Sequence, residues 1–350
     1  MYKNNCKYLK YNKIKKRFKY KLNKAYYGFR MYQWFFNIGK LFKNSQDVEI
    51  NKPIFLLGTQ GGGLTLISRM IRRHHDVVSP TGNCMYWTGA DEMCSVFGRV
   101  LPIQLTAANY HDVMKKFNRN SPGWMYASDE YFNLFRNDAS DVTAKIRSKF
   151  HRVIKWSIKR YAKNPANSRF TDKSQIYTIK MLFINELLKE FDPKFILITR
   201  NPYAMCYRTA ASTNSEYTIL VKEYGFLYAL DYAAQHWTNS MQAALDDKKK
   251  VRNFMQIKFE DFLIEPEVSM KKVCKFAELN YNPDMLPKSS DKLPLGTIRG
   301  KRWYPLNLKV NDNYLNKLND DMIEVIHKRC GHLASYFGYE LPKPSGIQHK

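Results

Sequence analysis

An α/β fold is what the sequence predicts: a parallel sheet flanked by helices, with a helical insertion over one end. Short apolar runs at 54–57, 194–199 and 254–259 stop at Gly, Arg-Asn-Pro or Glu-Asp. They read as strands buried on both faces. Helix-spaced stretches alternate with them, which favours a parallel sheet covered on both sides. No self-similarity recurs at a solenoid period. The 350 residues are 44% apolar, enough for a sizeable core.

Taken in order, residues 1–50 form a basic, aromatic N-terminal segment. Residues 1–46 hold thirteen Lys or Arg and no Asp or Glu, half of the net charge of +26. Such a field favours anionic partners. A compositional bias towards Lys, Asn and Tyr accounts for the excess equally well. The aromatic run 31–42 is broken by Gln33, Asn37 and Lys40. It falls short of the roughly 18 to 20 apolar residues that span a bilayer, and no small-residue cleavage site follows it. Two readings stay open: a helix in peripheral contact with an anionic membrane, or a helix packed on the body. Six scattered cysteines include no C-x-x-C pair. Reduced thiols, no metal and a cytoplasmic location are expected, at the inner membrane face under the first reading.

The folded body is assigned to 51–340, with a tail at 341–350. Strand 54–57 runs into a glycine loop. Leu64, Ile67, Met70 and Ile71 then mark one face of a helix ending near Arg73. Residues 82–167 are rich in Trp, Tyr and Met with Gly and Pro breaks, and read as helices and loops inserted over the mouth of the sheet. A helix is expected at 178–191, stopped by Asp192-Pro193, before strand 194–199. Pro202 suits the start of the next helix. Strand 254–259 precedes a helix at 266–276, and a last helix runs over 314–337 to a Gly338 stop.

Three loops carry the chemistry. GTQGGGLT, residues 58–65, lets backbone amides approach an anion without side-chain obstruction, and the helix after it adds its positive end. No Gly-Lys-Ser/Thr follows, so this is not the nucleotide-hydrolase loop. Arg200, directly after a buried strand, can grip a phosphate bidentately, and Arg208 lies two helical turns further on the same side. The run 296–303, GTIRGKRW, places Arg299 and Lys301 around Gly300, a hinged basic loop able to close over a nucleotide.

In order and spacing these elements resemble the sulfotransferases that use 3′-phosphoadenosine 5′-phosphosulfate (PAPS), a P-loop-like fold, over residues 52–338. PIFLLGTQGGGLT is similar to the family's 5′-phosphosulfate loop, which implies donor contacts from Thr59, Gly61, Gly62, Gly63, Leu64 and Thr65. KFILITRNPYA resembles the strand whose Arg holds the 3′-phosphate, which assigns Arg200. IKFEDF and IRGKRWYPL resemble two later family elements, the second implying that Arg299, Gly300 and Lys301 cover the nucleotide. DKSQ supplies a typical Lys at Lys173.

The chain departs from the family twice. Gly61 stands where the loop normally carries a Lys or Arg that stabilises the bridging oxygen. Arg208 stands where the family has Ser. Lys173 is the leading candidate for the missing cation. Glu92, then Asp91, is the candidate base, each also readable as a helix-start acid. His74 and His75 read more readily as a cation pair at a helix end. The resemblance implies sulfuryl transfer to a hydroxyl acceptor. The aromatic insertion fits a saccharide, and no nucleic acid is expected. The rival reading is a catalytically decayed relative, a basic protein that binds anionic glycan or nucleic acid.

Overall fold

The computed structural model describes residues 48–82, 91–98, 100–106, 125–213, 215–288 and 306–343. Its strands are β1 (Ile54–Leu57), β2 (Val77–Val78), β3 (Arg169–Asp172), β4 (Lys194–Thr199) and β5 (Phe254–Lys258). They form one parallel sheet in the order β2-β3-β1-β4-β5. The longer helices are α1 (Leu64–Ile71), α2 (Ala144–Tyr161), α3 (Met181–Leu188), α4 (Pro202–Ala210), α5 (Tyr217–Tyr224), α6 (Phe226–Lys248), α7 (Phe259–Ile264), α8 (Pro266–Ala277) and α9 (Asp320–Tyr336).

Alternation along the central strands builds two cores. Phe55 and Leu57 of β1 join Phe195 and Leu197 of β4 on one face, packed with Phe150 of α2, Ile184 of α3, Trp237 of α6 and Ile326 of α9. Ile54 and Leu56 join Ile196 and Ile198 on the other, packed with Ile67 and Met70 of α1 and with Met270 and Val273 of α8. Both faces of β1 and β4 are therefore buried, which explains their unbroken apolar sequences.

The sequence expectations need five adjustments. β2 and β3 are unassigned in the sequence reading. β2 has two residues, and β3 (RFTD) carries charges at both ends. α5 and α6 fill a stretch given no element, 217–248. Strand 254–259 stops one residue early, since Phe259 opens α7. The last helix begins at Asp320 rather than 314, because the Asn319 side chain caps the Met322 amide. Helix 178–191 is a composite: a 3₁₀ segment Gln175–Lys180, then α3, then a 3₁₀ turn Lys189–Phe191. Of 82–167, the described residues carry single helical turns at Met93–Val96 and Phe132–Phe135 and the long α2. The N-terminal segment 1–46 and the basic loop with Arg299, Gly300 and Lys301 lie outside the described residues. Among the described residues no helix is long and apolar enough to cross a membrane.

Candidate active site

The register sets the geography. β1 pairs with β4 from Ile54↔Lys194 to Leu57↔Leu197, and with β3 through Phe55↔Asp172. The loop after β1, Lys173 after β3 and Arg200 after β4 therefore emerge at the same carboxyl end of the sheet, where open α/β sheets bind ligands.

The loop is held at both ends. The Thr178 hydroxyl accepts from the Gly58 amide at 2.8 Å and donates to the Gly58 carbonyl at 3.0 Å. The Gly62 amide closes a turn onto the Thr59 carbonyl at 3.0 Å. Gly63 caps α1 at φ 92°, and a Cβ there would run into the Phe259 ring. Only glycine allows both that backbone angle and that approach. The Leu66 amide closes the first turn of α1 onto the Gly63 carbonyl at 3.0 Å. Gln60 is buried, and its Oε1 has no partner.

Arg200 reaches this loop from β4. It is 5% exposed; Nη1 donates to the Gly61 carbonyl at 2.5 Å, Nε donates to Asn311 Oδ1 at 2.8 Å, and Nη2 has no partner. Phe259 lies 4.8 Å beneath the guanidinium. Glu260 organises the surroundings. Its Oε1 accepts from the Asn201 amide at 3.0 Å and from Asn311 Nδ2 at 2.7 Å, and its Oε2 accepts from the Tyr339 hydroxyl at 3.1 Å. Burial, followed by repulsion from Arg208, brings Arg200 down to about 10, so it stays charged at neutral pH. Asn201 caps α4 through bonds to the amides of Tyr203 and Ala204, with Pro202 at the first helical position. Arg208, in the last turn of α4, brings its guanidinium to Gly61. A Cβ on Gly61 would collide with Nη1, with Cζ at 3.5 Å.

Beside this lies a buried charge cluster. Lys173 Nζ, 2% exposed, donates to Glu92 Oε1 at 3.0 Å and lies 2.9 Å from Asp91 Oδ1, an ionic contact rather than an aligned hydrogen bond. Asp91 Oδ2 accepts from Arg72 Nη1 at 2.8 Å. Burial disfavours the ammonium, but Glu92 and Asp91 together outweigh it and hold Lys173 well above its ordinary value. Glu92 stands at the cap of the turn Met93–Val96, yet its side chain makes no cap bond. The helix-start reading of these acids gives way to the ion-pair one. Asp172 accepts from the amides of Met93 at 2.7 Å and Ser174 at 2.9 Å.

The three residues proposed from sequence for catalysis are thus one cluster, although 81 positions separate Glu92 from Lys173. Arg200 and Arg208 meet at Gly61. Thr178, Phe259, Asn311 and Tyr339 were missed. IKFED offered a signal for Phe259, but Thr178, Asn311 and Tyr339 carry no local one. His74 is no helix-end cation: burial lowers its pKa, and Nε2 faces the Asn280 carbonyl at 2.9 Å.

The architecture is a parallel α/β sheet whose first strand feeds a glycine loop on which two arginines converge. A family model described as the sulfotransferase family matches residues 53–283. The chain belongs to the sulfotransferase family, and is a PAPS-dependent sulfotransferase. A sulfotransferase from Mycobacterium avium is 11% identical over 89% of this chain and 82% of its own, with TM-score 0.50. The sulfotransferase domain from the curacin biosynthetic pathway is 16% identical over 84% and 100%, with TM-score 0.49. A mouse sulfotransferase complexed with PAP, the desulfated nucleotide, is 14% identical over 84% and 92%, with TM-score 0.40. No curated protein matches the sequence.

Proposed function

We propose that the acceptor is a saccharide hydroxyl and that Glu92 takes its proton. The donor supplies an activated sulfuryl group on a phosphate. The acceptor oxygen forms the new S–O bond, and the P–O–S bridge breaks with its electron pair on the bridging oxygen. The acceptor proton goes to Glu92. One observation carries this reading: Lys173, at the loop end of the sheet, bonds Glu92 Oε1 at 3.0 Å and orients its carboxylate. A carboxylate accepts a proton only while ionised, and an aimed base contributes about 100-fold or more. Lys173 is thereby a positioning residue, with Asp91 locked between it and Arg72. Thr59, Gly61, Gly62, Gly63, Leu64 and Thr65 cradle the 5′-phosphosulfate, and Arg200 takes the 3′-phosphate. Its unbonded, buried Nη2 fits such an anion. The saccharide class rests on the aromatic-rich segment 82–167.

The test is transfer of labelled sulfate from PAPS to polysaccharides, lipid-linked saccharides, phenols and aliphatic alcohols. Saccharides should accept, and Glu92→Gln should lower kcat about 100-fold with little change in PAP affinity. Transfer to non-saccharides alone would reject the acceptor class. Full activity in Glu92→Gln would reject the base.

A further inference from the structure

Resting on that donor site, we propose that Arg208 supplies the positive charge over the donor's 5′-phosphate, from across the groove rather than from the loop. Arg200 and Arg208 then divide the two phosphates between them.

The space decides it. Gly61 sits at φ 76°, and the volume that its side chain would occupy already holds the Arg208 guanidinium. A cation on the loop and a cation on α4 would compete for the same place. Among the described residues Arg208 makes no ion pair and no hydrogen bond. It is half-buried, and its charge acts on Arg200, which reaches the same glycine from the end of β4. Glu260, the carboxylate whose charge acts on Arg200, is bonded to Asn201, Asn311 and Tyr339. Two guanidinium groups converging on one glycine repel each other unless anions neutralise them. Arg200 Nη2 is a buried, unbonded donor, which suits an anionic guest.

Geometry also allots the phosphates. Arg208 lies over Gly61, two residues before Gly63, the cap of α1, in the glycine loop assigned above to the 5′-phosphosulfate. Arg200 is held back by Asn311 and by the Phe259 ring, on the β4 side. The amide cradle and Arg208 therefore face one phosphate, and Arg200 with its free Nη2 faces the other. As the P–O–S bond breaks, negative charge grows on the bridging oxygen, which remains with the 5′-phosphate. A guanidinium there stabilises the departing nucleotide. The charge missing from position 61 reappears at 208, so Gly61 is not by itself a sign of a decayed site.

The test is calorimetric binding of PAP, 5′-AMP and 3′-AMP to the full chain and to Arg208→Ala, Arg208→Gln and Arg200→Ala, with thermal melts reporting folding. Arg208→Ala and Arg208→Gln should weaken 5′-AMP about 10-fold or more and leave 3′-AMP within about twofold, as loss of one charge-assisted contact predicts. Arg200→Ala should show the reverse. Gly61→Lys in the Arg208→Ala background should recover part of the lost 5′-AMP affinity. Loss of 3′-AMP binding with 5′-AMP intact, or equal loss of both by the folded Arg208→Gln, overturns the assignment. Failure of the wild type to bind PAP at all overturns the donor site itself, a separate result.

Discussion

Burying Lys173 between two carboxylates makes that pair of acids dependent on it. Asp91, Glu92 and Lys173 are each less than 10% exposed. Lys173→Met leaves two carboxylates facing each other out of water, and chemical denaturation should register a loss of about 3–5 kcal/mol. A loss below about 1 kcal/mol would mean that the cluster is solvated. Asp172 gives a pH signature of its own. Burial pushes its carboxyl from 3.8 up to about 6, although the amides of Met93 and Ser174 and the Ser174 side chain pull the other way. The folded state thus holds this proton more tightly than the unfolded chain. The stability it contributes is fully present below 3.8 and is lost as pH rises through about 6. Denaturation midpoints measured between pH 4 and 7 should therefore fall less steeply with rising pH in Asp172→Asn than in wild type. Identical slopes would contradict the shift. Glu92 and Asp91 were recognisable in the sequence as acids near the site, but their partner was not. Their link to Lys173 spans a segment whose path no local pattern predicts.

At the scale of elements, the loop and the start of α7 act as one unit. Gly63 and Phe259 are in contact across the groove, and the same ring lies under Arg200. Gly63→Ala adds a methyl group at a positive φ and into an aromatic ring. It should cost about 2–4 kcal/mol and lower PAP affinity as the ring is displaced from Arg200. Adding Phe259→Leu should restore part of the stability, as read by urea denaturation. Additive losses in the double variant would mean that the two residues are independent. β1 and β4 were legible because burial on both faces writes an unbroken apolar run, and α4 because Asn201-Pro202 is a strong start signal. β3 was not, because Arg169 and Asp172 give a four-residue strand a polar outline. Two residues of β2 carry no periodicity at all. α6 is buried along much of its length, so its apolar stripe is too broad to stand out. The exchange of charge between positions 61 and 208 was visible as two separate departures. Only the fold, which brings α4 over the loop, joins them into one.

Across the whole molecule, charge is distributed unevenly: thirteen basic residues and no acids occupy 1–46. If that segment meets an anionic membrane, its removal should weaken sedimentation with phosphatidylserine vesicles, more so at low salt, while PAP binding is kept. Equal vesicle binding by the truncated chain would reject the membrane reading. Both cores lie on the sheet and its covering helices, so the glycine loop after β1 springs from the buried centre of the fold. Calorimetric titration of the full chain with PAP should show one saturable site, weakened about 30-fold in Arg200→Ala as about 2 kcal/mol of charge-assisted bonding is lost. Absence of binding to wild type at millimolar PAP, or unchanged affinity in Arg200→Ala, would contradict a donor site at the β1 loop.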